Sequence, residues 1–320
     1  MRLFPLISIA ALLAVLSGCA FVNVPLVPPP SPLEEQLLEG TGAKKILLLD
    51  ISGTISEQGK SGGLLGRSTP SMVSVVREAL QKAEKDADIA GMIVRINSPG
   101  GTVTASDIIH HDITEFKKRK KIPVLASIIG VGASGGYYVA SAADEIIASP
   151  TAITGSIGVL LMKFNVEGLM GKIGVEEQTV KSGDKKDILS PFRKATPEEV
   201  KLAQDIIDQL YGRFLDIVMA RPGNKLSRDQ LKKLADGRIY TAVQAREAGL
   251  IDRTGYLDDA ITDITKRLGV ESARVVTYYR PGSYKGSIYA GSMEKEGLAD
   301  VLGGSVDGFS GGSFMYLWRP

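Results

Sequence analysis

The sequence predicts an α/β fold in which a mainly parallel sheet is followed by a helical second half. Two observations predict this class. Between residues 46 and 163, continuous apolar runs of strand length alternate with amphipathic stretches of helix length, the order that builds βαβ units with right-handed crossovers. From residue 196 onward, apolar residues recur at steps of three and four, which is the helical period.

The first half supplies strands and helices in alternation. Thr69 and Pro70 mark the start of the first helix, because proline suits the first helical position, and a Gly-rich loop at 61–68 precedes them. Two more helices are predicted over 104–117 and 137–142. Apolar runs predict strands at 46–51, 92–96, 124–129, 145–148 and 157–163.

The second half opens with the clearest helix signal in the chain. Thr196-Pro197-Glu198-Glu199 is a capping box with proline at the first helical position. The apolar residues that follow it fall on one helical face. Further helices are predicted over 226–235, 242–248 and 257–268.

The N-terminal residues predict export and a lipid anchor. The chain starts Met1-Arg2, continues through a short apolar run and reaches a Leu-Ser-Gly-Cys ending at Cys19, which describes a secretory signal peptide over 1–18 rather than a spanning helix. The ending resembles the lipobox of bacterial lipoproteins, and this implies cleavage before Cys19 and diacylation of its sulfur. An ordinary secretory signal with an incidental cysteine is the alternative.

The composition divides the remainder of the chain into three segments and excludes some kinds of partner and site. Prolines concentrated in 19–43 predict a semi-rigid tether. Residues 44–280 are predicted to form a folded domain, and residues 281–320 a Gly-rich tail. The apolar end of this tail must dock on its own domain, on a neighbouring subunit or near a substrate groove. The net charge is +2, and the basic run at 117–121 suits the end of a helix, so no nucleic-acid partner is expected. A single cysteine excludes an intramolecular disulfide and an all-cysteine metal cluster.

A serine flanked by glycines is the candidate nucleophile. Gly132-x-Ser134-x-Gly136 lies between an apolar strand and a predicted helix and matches the pattern of a nucleophile elbow. The glycines permit a tight turn that projects the hydroxyl from the strand end and let backbone N–H groups approach a ligand. Glycine and serine are also ordinary turn residues, so the motif alone is a weak signal.

The positions of the histidines limit which residue can act as the general base for such a serine. An α/β-hydrolase requires a histidine after the serine, but no histidine follows His111. The pair His110 and His111 lies on a predicted helix, where a Ser-His arrangement is conceivable and ordinary surface histidines are the simpler reading. Lysine is the next candidate, as in Ser-Lys variants of the catalytic triad.

Five motifs together resemble the bacterial signal peptide peptidase A family, in its short form. The resemblance runs from about residue 44 to 270, and five motifs in the right order are more specific than any one of them. The motifs are Asn-Ser-Pro-Gly-Gly at 97–101, Gly-Ala-Ser-Gly-Gly-Tyr-Tyr at 132–138, Thr-Gly-Ser-Ile-Gly-Val at 154–159, Ser-Gly-Asp-Lys-Lys-Asp at 182–187 with Ser-Pro at 190–191, and Gly-Arg-Ile-Tyr-Thr at 237–241 with Gly-Leu-Ile-Asp at 249–252.

The resemblance implies a role for each matching residue. Ser134 corresponds to the nucleophile and Lys186, which stands before aspartate in its motif, to the general base. Gly101 and Gly135 correspond to the oxyanion donors, and Ser156 to a serine that orients the lysine amine. The neighbouring Lys185 is the competing candidate for the general base. Consecutive side chains on an extended segment point in opposite directions, so only one of the two lysines should reach the site.

A lysine base carries a physical requirement. At its ordinary pKa of about 10.4, only on the order of one amine in a thousand is neutral near pH 7. Burial away from water disfavours the ammonium and can bring the pKa into the range where proton transfer works. We therefore expect Lys186 to be desolvated, without a paired carboxylate, and Asp187 to point away from it.

The resemblance also implies a fold, an assembly and a substrate. The fold would be a Clp protease/crotonase-like superhelix of repeated ββα units followed by a helical second half. The activity would be that of a membrane-tethered serine endopeptidase in the bacterial envelope, a homo-oligomer that cleaves apolar peptides such as remnant signal peptides without a metal or organic cofactor. The alternatives are a crotonase acting on acyl-CoA thioesters, a protease for membrane-scaffold proteins, and a non-catalytic envelope scaffold.

Overall fold

A computed structural model describes residues 31–59, 69–281, 286–290 and 314–318. The predicted signal peptide at 1–18, Cys19 and the Gly-rich loop predicted at 61–68 lie outside the described residues. The strands are β1 (Glu34–Glu39), β2 (Lys45–Ser52), β3 (Ile89–Ser98), β4 (Gly100–Thr102), β5 (Val124–Ala133), β6 (Glu145–Ala148), β7 (Ile153–Gly155), β8 (Leu160–Leu161), β9 (Ile239–Thr241), β10 (Arg253–Thr254), β11 (Arg274–Tyr279) and β12 (Phe314–Leu317). The helices are α1 (Met72–Lys85), α2 (Val103–Lys120), α3 (Gly135–Ala140), α4 (Glu167–Lys172), α5 (Pro197–Ala220), α6 (Arg228–Leu234), α7 (Ala242–Glu247) and α8 (Leu257–Arg267).

The main sheet is largely parallel, and the predicted α/β class is confirmed. Its strand order is β1-β11-β2-β3-β5-β6-β10, with β7 pairing to β5 and β9 pairing to β7. Among the described strands of this sheet, the antiparallel pairs are β1–β11 and β7–β9. A smaller antiparallel sheet has the order β4-β12-β8. The sequence β3-β4-α2 matches one of the expected ββα units.

Apolar cores cover both faces of the main sheet because side chains alternate along each strand. On β2, Leu47 and Leu49 belong to the larger core with α1 and α2, whereas Ile46 and Leu48 belong to a second core with α8. A sheet buried on both faces needs strands that are mainly apolar, and this is why the strand signals in the sequence are nearly continuous runs. The site described below lies at the carboxyl ends of β3 and β5.

The start of α5 follows the capping rule that the sequence indicated, whereas α1 begins after its N-cap Ser71 and not at Pro70. The box at Thr196 is present: its hydroxyl accepts from the Glu199 N–H at 3.2 Å, and the Glu199 carboxylate accepts from the Thr196 N–H at 2.8 Å. The basic run at 117–121 occupies the last turn of α2, where cations offset the helix dipole. Lys117 also contacts the Asp144 carboxylate at 3.0 Å, which fixes the end of α2 to the loop before β6.

Three expectations about boundaries are corrected. The tether predicted over 19–43 is too long, because residues 34–39 form β1 and pair with β11. The second half is not purely helical, since β9, β10 and β11 return to the main sheet. The strand expected at 157–163 is only the two-residue β8. Local patterns cannot show these pairings, because the partner strands lie far away in the chain.

The tail expected over 281–320 also contains a folded element. Residues 314–317 form β12, which docks on the chain's own domain between β4 and β8. Within the described ranges, no helix combines the length and the apolar character needed to cross a membrane.

Candidate active site

Ser134 stands at a sharp strand-to-helix turn. It follows the last residue of β5 and precedes α3, with φ of 54° and ψ of −117°. Such a conformation costs a non-glycine residue about 1–3 kcal/mol, so the surroundings must impose it. The Ser134 N–H donates to the Gly155 carbonyl at 2.7 Å, and the Ser134 carbonyl accepts from the Tyr138 N–H at 2.9 Å. This geometry is that of a nucleophile elbow, and the residue is only 1% exposed.

The two glycine turns predicted to hold an oxyanion are in contact. A methyl group on Gly100 would lie 2.6 Å from the Gly135 nitrogen, and one on Gly135 would lie 3.1 Å from the Gly100 Cα. A methyl group on Gly101 would lie 1.8 Å from the Ile55 carbonyl oxygen. Each of these positions therefore excludes a side chain, and this brings the backbone of β4 up to the residue that follows Ser134.

The N–H group of Gly101 faces away from Ile55. The Gly100 carbonyl accepts from the Ile55 N–H at 2.9 Å, and the Thr102 N–H donates to the Ile55 carbonyl at 2.9 Å. Because successive backbone groups of a strand point to opposite sides, the Gly101 N–H and carbonyl face the other edge of β4. The Gly101 N–H is thus directed towards β12, in which Tyr316 lies opposite Gly101.

Ser156 lies close to the nucleophile through the backbone. It directly follows Gly155, whose carbonyl holds the Ser134 N–H. Ser156 is 8% exposed and has a φ of 49°, and its N–H donates to the Arg238 carbonyl at 2.7 Å. The structure therefore brings Ser134, Ser156 and the candidate oxyanion glycines to one place.

Lys186 is not part of that cluster in the single chain. Its side chain is exposed, and its N–H donates to the Gly183 carbonyl at 3.0 Å within a turn. Among the described residues, none forms a hydrogen bond or ion pair with the Lys186 amine. The expected desolvation is not provided by this chain alone, because the 181–187 segment lies on the surface.

Charged neighbours hold the segment around Lys186 in place. The Asp187 carboxylate accepts from Arg193 Nε at 2.7 Å and pairs with Lys181 at 2.7 Å, so it is directed to other partners, as expected. Hydrogen bonds from Arg193, and then from the Thr196 N–H, hold the pKa of Glu199 at about 2. Arg193 thereby joins the lysine segment to the start of α5.

The competing lysine and the histidines have other contacts. Lys185 Nζ lies 2.5 Å from Glu198 in an exposed ion pair. His110 packs edge-on against Tyr138 with ring centroids 5.4 Å apart, and burial lowers its pKa to about 4. His111 is exposed. Neither histidine forms a hydrogen bond with Ser134, so the Ser-His arrangement gains no support.

Sequence reasoning missed several residues that build the site. The Gly155 carbonyl accepts the hydrogen bond that holds the Ser134 elbow, and the Ile55 backbone forms hydrogen bonds with the outer edge of β4. No local sequence pattern predicted either contact. The Tyr138 hydroxyl donates to the Asp107 carboxylate, which anchors α3 to α2. Gly155 and Tyr138 do lie within the sequence motifs quoted above. Only the tertiary contacts show which neighbours these residues bind.

A serine elbow that faces two converging glycine turns defines a serine hydrolase. Comparison with known proteins supports this class. The family model for peptidase family S49 matches residues 116–271, and the model for Clp protease matches residues 64–154. The second match agrees with the expected Clp protease/crotonase-like fold.

Individual proteins are similar to this chain. A protein of Enterococcus faecium assigned as signal peptide peptidase SppA is 37% identical over 245 residues, 77% of this chain and 70% of that protein. The chloroplastic serine protease SPPA of Arabidopsis thaliana is 33% identical over 227 residues, 68% of this chain but 33% of its own length. Among solved structures, a ClpP1 mutant from Listeria monocytogenes is similar with a TM-score of 0.42 and 18% identity, covering 66% of this chain and 92% of that one.

The chain belongs to peptidase family S49, the signal peptide peptidase A family, and it is a serine peptidase. The family predicted from the five motifs is confirmed. The acyl-CoA alternative is thereby set aside.

Proposed function

We propose that this protein is a membrane-tethered endopeptidase with a Ser-Lys dyad that degrades remnant signal peptides and other apolar peptides. The observation that supports the proposal most is the convergence of Ser134 with the backbone of Gly101 and Gly135. The name of the Enterococcus faecium relative contains the same activity. The dyad, the tether and the substrate are inferences that go beyond family membership.

The proposed chemistry follows the acyl-enzyme sequence. The Ser134 oxygen attacks the scissile carbonyl carbon and gives its proton to the neutral Lys186 amine. The N–H groups of Gly101 and Gly135 stabilise the oxyanion that forms. The intermediate collapses, the leaving amine takes the proton from Lys186, and an ester to Ser134 remains. Water then attacks that ester and gives a proton to the neutral Lys186 amine. The second intermediate collapses, Lys186 returns that proton to the Ser134 oxygen, and the acid is released.

The exposed position of Lys186 calls for a second copy of the chain. The surrounding surface segment exposes several apolar side chains, among them Leu169 at 61%, Ile173 at 67% and Val180 at 101% of their full accessibility. An exposed apolar surface of this kind marks an interaction site. We propose that a neighbouring subunit covers it in a homo-oligomer and removes Lys186 from water, so that its amine can act as the base.

The tether would hold the enzyme beside its substrates. Export followed by diacylation of Cys19 would place the catalytic domain outside the cytoplasm and next to a membrane in which cleaved signal peptides remain. Incorporation of labelled palmitate should require Cys19, and a Cys19→Ser protein should fail to acquire it. Labelled Cys19→Ser protein would refute the anchor without touching the peptidase proposal.

Activity and active-site labelling test the dyad. The full chain in detergent should react with a fluorophosphonate probe and hydrolyse a synthetic signal peptide, and Ser134→Ala should abolish both. Mixing the Ser134→Ala and Lys186→Ala proteins should restore turnover if one copy supplies the serine and its neighbour the lysine, whereas no recovery would place both residues in one chain. Labelling that persists in Ser134→Ala would refute the nucleophile.

A further inference from the structure

Ser98 is a buried hydroxyl beside the candidate site that takes no part in the proposed acyl-enzyme steps. It is the last residue of β3 and is fully buried, and a buried polar group is unfavourable unless it is hydrogen-bonded. Ser98 Oγ donates to the Gly53 carbonyl at 2.6 Å and accepts from the Gly100 N–H at 3.1 Å. This single hydroxyl therefore joins the loop after β2 to the turn that carries the candidate donor Gly101.

The turn that carries Gly101 has few restraints of its own. Pro99 has no N–H to donate, and neither Gly100 nor Gly101 has a side chain to limit its backbone angles. Gly100 has a φ of 100°, which residues with a side chain rarely adopt. Contacts with other parts of the chain must therefore fix the direction of the Gly101 N–H.

Ser98 acts on both peptide planes of this turn. It holds the first plane directly, through the Gly100 N–H. The second plane contains the Gly101 N–H and the Gly100 carbonyl, and that carbonyl accepts from the Ile55 N–H at 2.9 Å. Ile55 lies two residues after Gly53, whose carbonyl is bonded to Ser98 Oγ. Loss of the Ser98 hydroxyl would loosen the first plane and also the segment that holds the second.

The same hydroxyl determines which glycine of the turn can offer its N–H to an oxyanion. A serine hydroxyl has one hydrogen to donate, and in Ser98 it is directed to Gly53, so its lone pairs accept from the Gly100 N–H. Serine commonly forms such a turn with the N–H two residues further on. Because the Gly100 N–H is engaged in this way, Gly101 is the donor that the turn can present.

Ser98 also contacts both sides of the nucleophile. It lies opposite Gly132 of β5 in the strand register. A methyl group on Gly136 would lie 2.7 Å from the Ser98 carbonyl oxygen and 3.5 Å from its Cβ, so Ser98 packs directly on the start of α3. Ser134 lies midway between these two glycines in the chain. Ser98 therefore sets the spacing between the nucleophile and the turn that carries Gly101.

We propose that Ser98 is a positioning residue for peptide hydrolysis: its hydroxyl holds the 99–101 turn where the Gly101 N–H can stabilise the oxyanion formed at Ser134. This inference rests on the proposed peptidase mechanism and adds a residue that touches neither the substrate nor the reacting atoms. A displacement of about 1 Å in a catalytic group can slow a reaction about 10²-fold. Loss of the hydroxyl should therefore slow the chemical step and leave binding of the substrate nearly unchanged.

A matched pair of variants of the full chain tests the positioning role. Ser98→Ala removes both hydrogen bonds of the hydroxyl. Thr277→Val removes another buried hydroxyl, which donates to the Leu48 carbonyl at 3.0 Å on β11, outside the candidate site. We expect both variants to lower the unfolding midpoint. Ser98→Ala alone should lower kcat for a peptide ester, by about 10–100-fold, with KM changed less than about twofold. Equal kcat values in the two variants would overturn the proposal.

A second substitution keeps the comparison decisive if Ser98→Ala does not fold. Ser98→Cys nearly keeps the shape of the side chain, but a thiol is a weak donor and a weak acceptor. Its kcat should fall about tenfold below that of the unsubstituted protein, while its KM stays within about twofold. A folded Ser98→Cys protein with full kcat would refute the need for this hydroxyl.

Inhibitor binding separates positioning from general damage to the site. A peptide aldehyde forms a hemiacetal with Ser134, in which the former carbonyl oxygen takes the oxyanion position, whereas the matching peptide alcohol binds without forming this adduct. The Ser98→Ala protein should bind the aldehyde about 10–100-fold more weakly and the alcohol within about twofold of the unsubstituted protein. Equal weakening of both would show a distorted groove and overturn the positioning role. An unsubstituted protein with no Ser134-dependent hydrolysis and no preference for the aldehyde would instead refute the proposed peptidase function.

Discussion

Substitution of Gly135 by alanine provides a direct test of the oxyanion geometry. The added methyl group would lie 2.4 Å from Ser106 Oγ, 3.1 Å from the Gly100 Cα and 3.1 Å from the Tyr316 carbonyl oxygen. The first neighbour is a hydroxyl that donates to the Thr102 carbonyl at 2.9 Å. It can rotate away and give up a hydrogen bond worth about 1 kcal/mol.

The other two neighbours must move back by a few tenths of an ångström. We therefore expect Gly135→Ala to destabilise the fold by about 1–2 kcal/mol, roughly a 5 °C fall in the unfolding midpoint. In the proposed mechanism, the displaced backbone also holds the developing negative charge. Loss of one oxyanion donor lowers kcat by about 10²–10³-fold, and KM should change little because the donor acts mainly in the transition state.

The assay combines steady-state hydrolysis of a peptide ester with thermal unfolding. Adding Ser106→Ala removes the closest contact of the new methyl group, so the double variant should recover part of the unfolding midpoint but none of the lost kcat. Full kcat in Gly135→Ala would refute the role of this N–H group. Recovery of stability and kcat together would show that the loss came from general strain and not from the oxyanion site.

Three further predictions concern the surroundings of the site. Lys186→Ala should lower kcat by roughly 10³-fold or more, whereas Lys185→Ala should retain most activity because it breaks only an exposed ion pair; equal losses would undo the choice of lysine. Arg193→Met leaves the buried Glu199 carboxylate without its cation, so limited proteolysis within 181–193 should accelerate, while Arg193→Lys should show a smaller change; identical cleavage rates would contradict this anchoring. Burial depresses the pKa of His110 from 6.5 to about 4, so the stability linked to its neutral form is complete above pH 6.5 and is lost as the pH falls towards 4. Unfolding titrations should show up to about 3 kcal/mol of this loss, and a His110→Phe protein with the same pH profile would rule it out.

Local patterns in the chain settled most of the secondary structure. Mainly apolar runs located β2, β3 and β5, because strands buried on both faces carry few polar residues; Arg95 on β3 and Ser127 on β5 are buried exceptions. The capping box at Thr196 located the start of α5 to the residue, because its two hydrogen bonds join residues only three positions apart. The elbow at Ser134 was also visible, since glycines on both sides of a serine are needed within five residues.

Contacts between distant parts of the chain were decided only by the tertiary structure. The pairing of β1 with β11 and the insertion of β12 between β4 and β8 depend on residues more than 150 positions apart. A periodic pattern in the sequence does not show which edge strand an apolar segment will join. The sequence therefore indicated that the apolar tail must dock, but it did not indicate where. The same holds for Lys186: its motif identified it, whereas its exposure follows from how the 181–193 segment packs against α5. Residue types and short spacings determine which groups are present and which helix or strand they occupy, but packing and backbone pairing across the whole chain determine which of those groups meet.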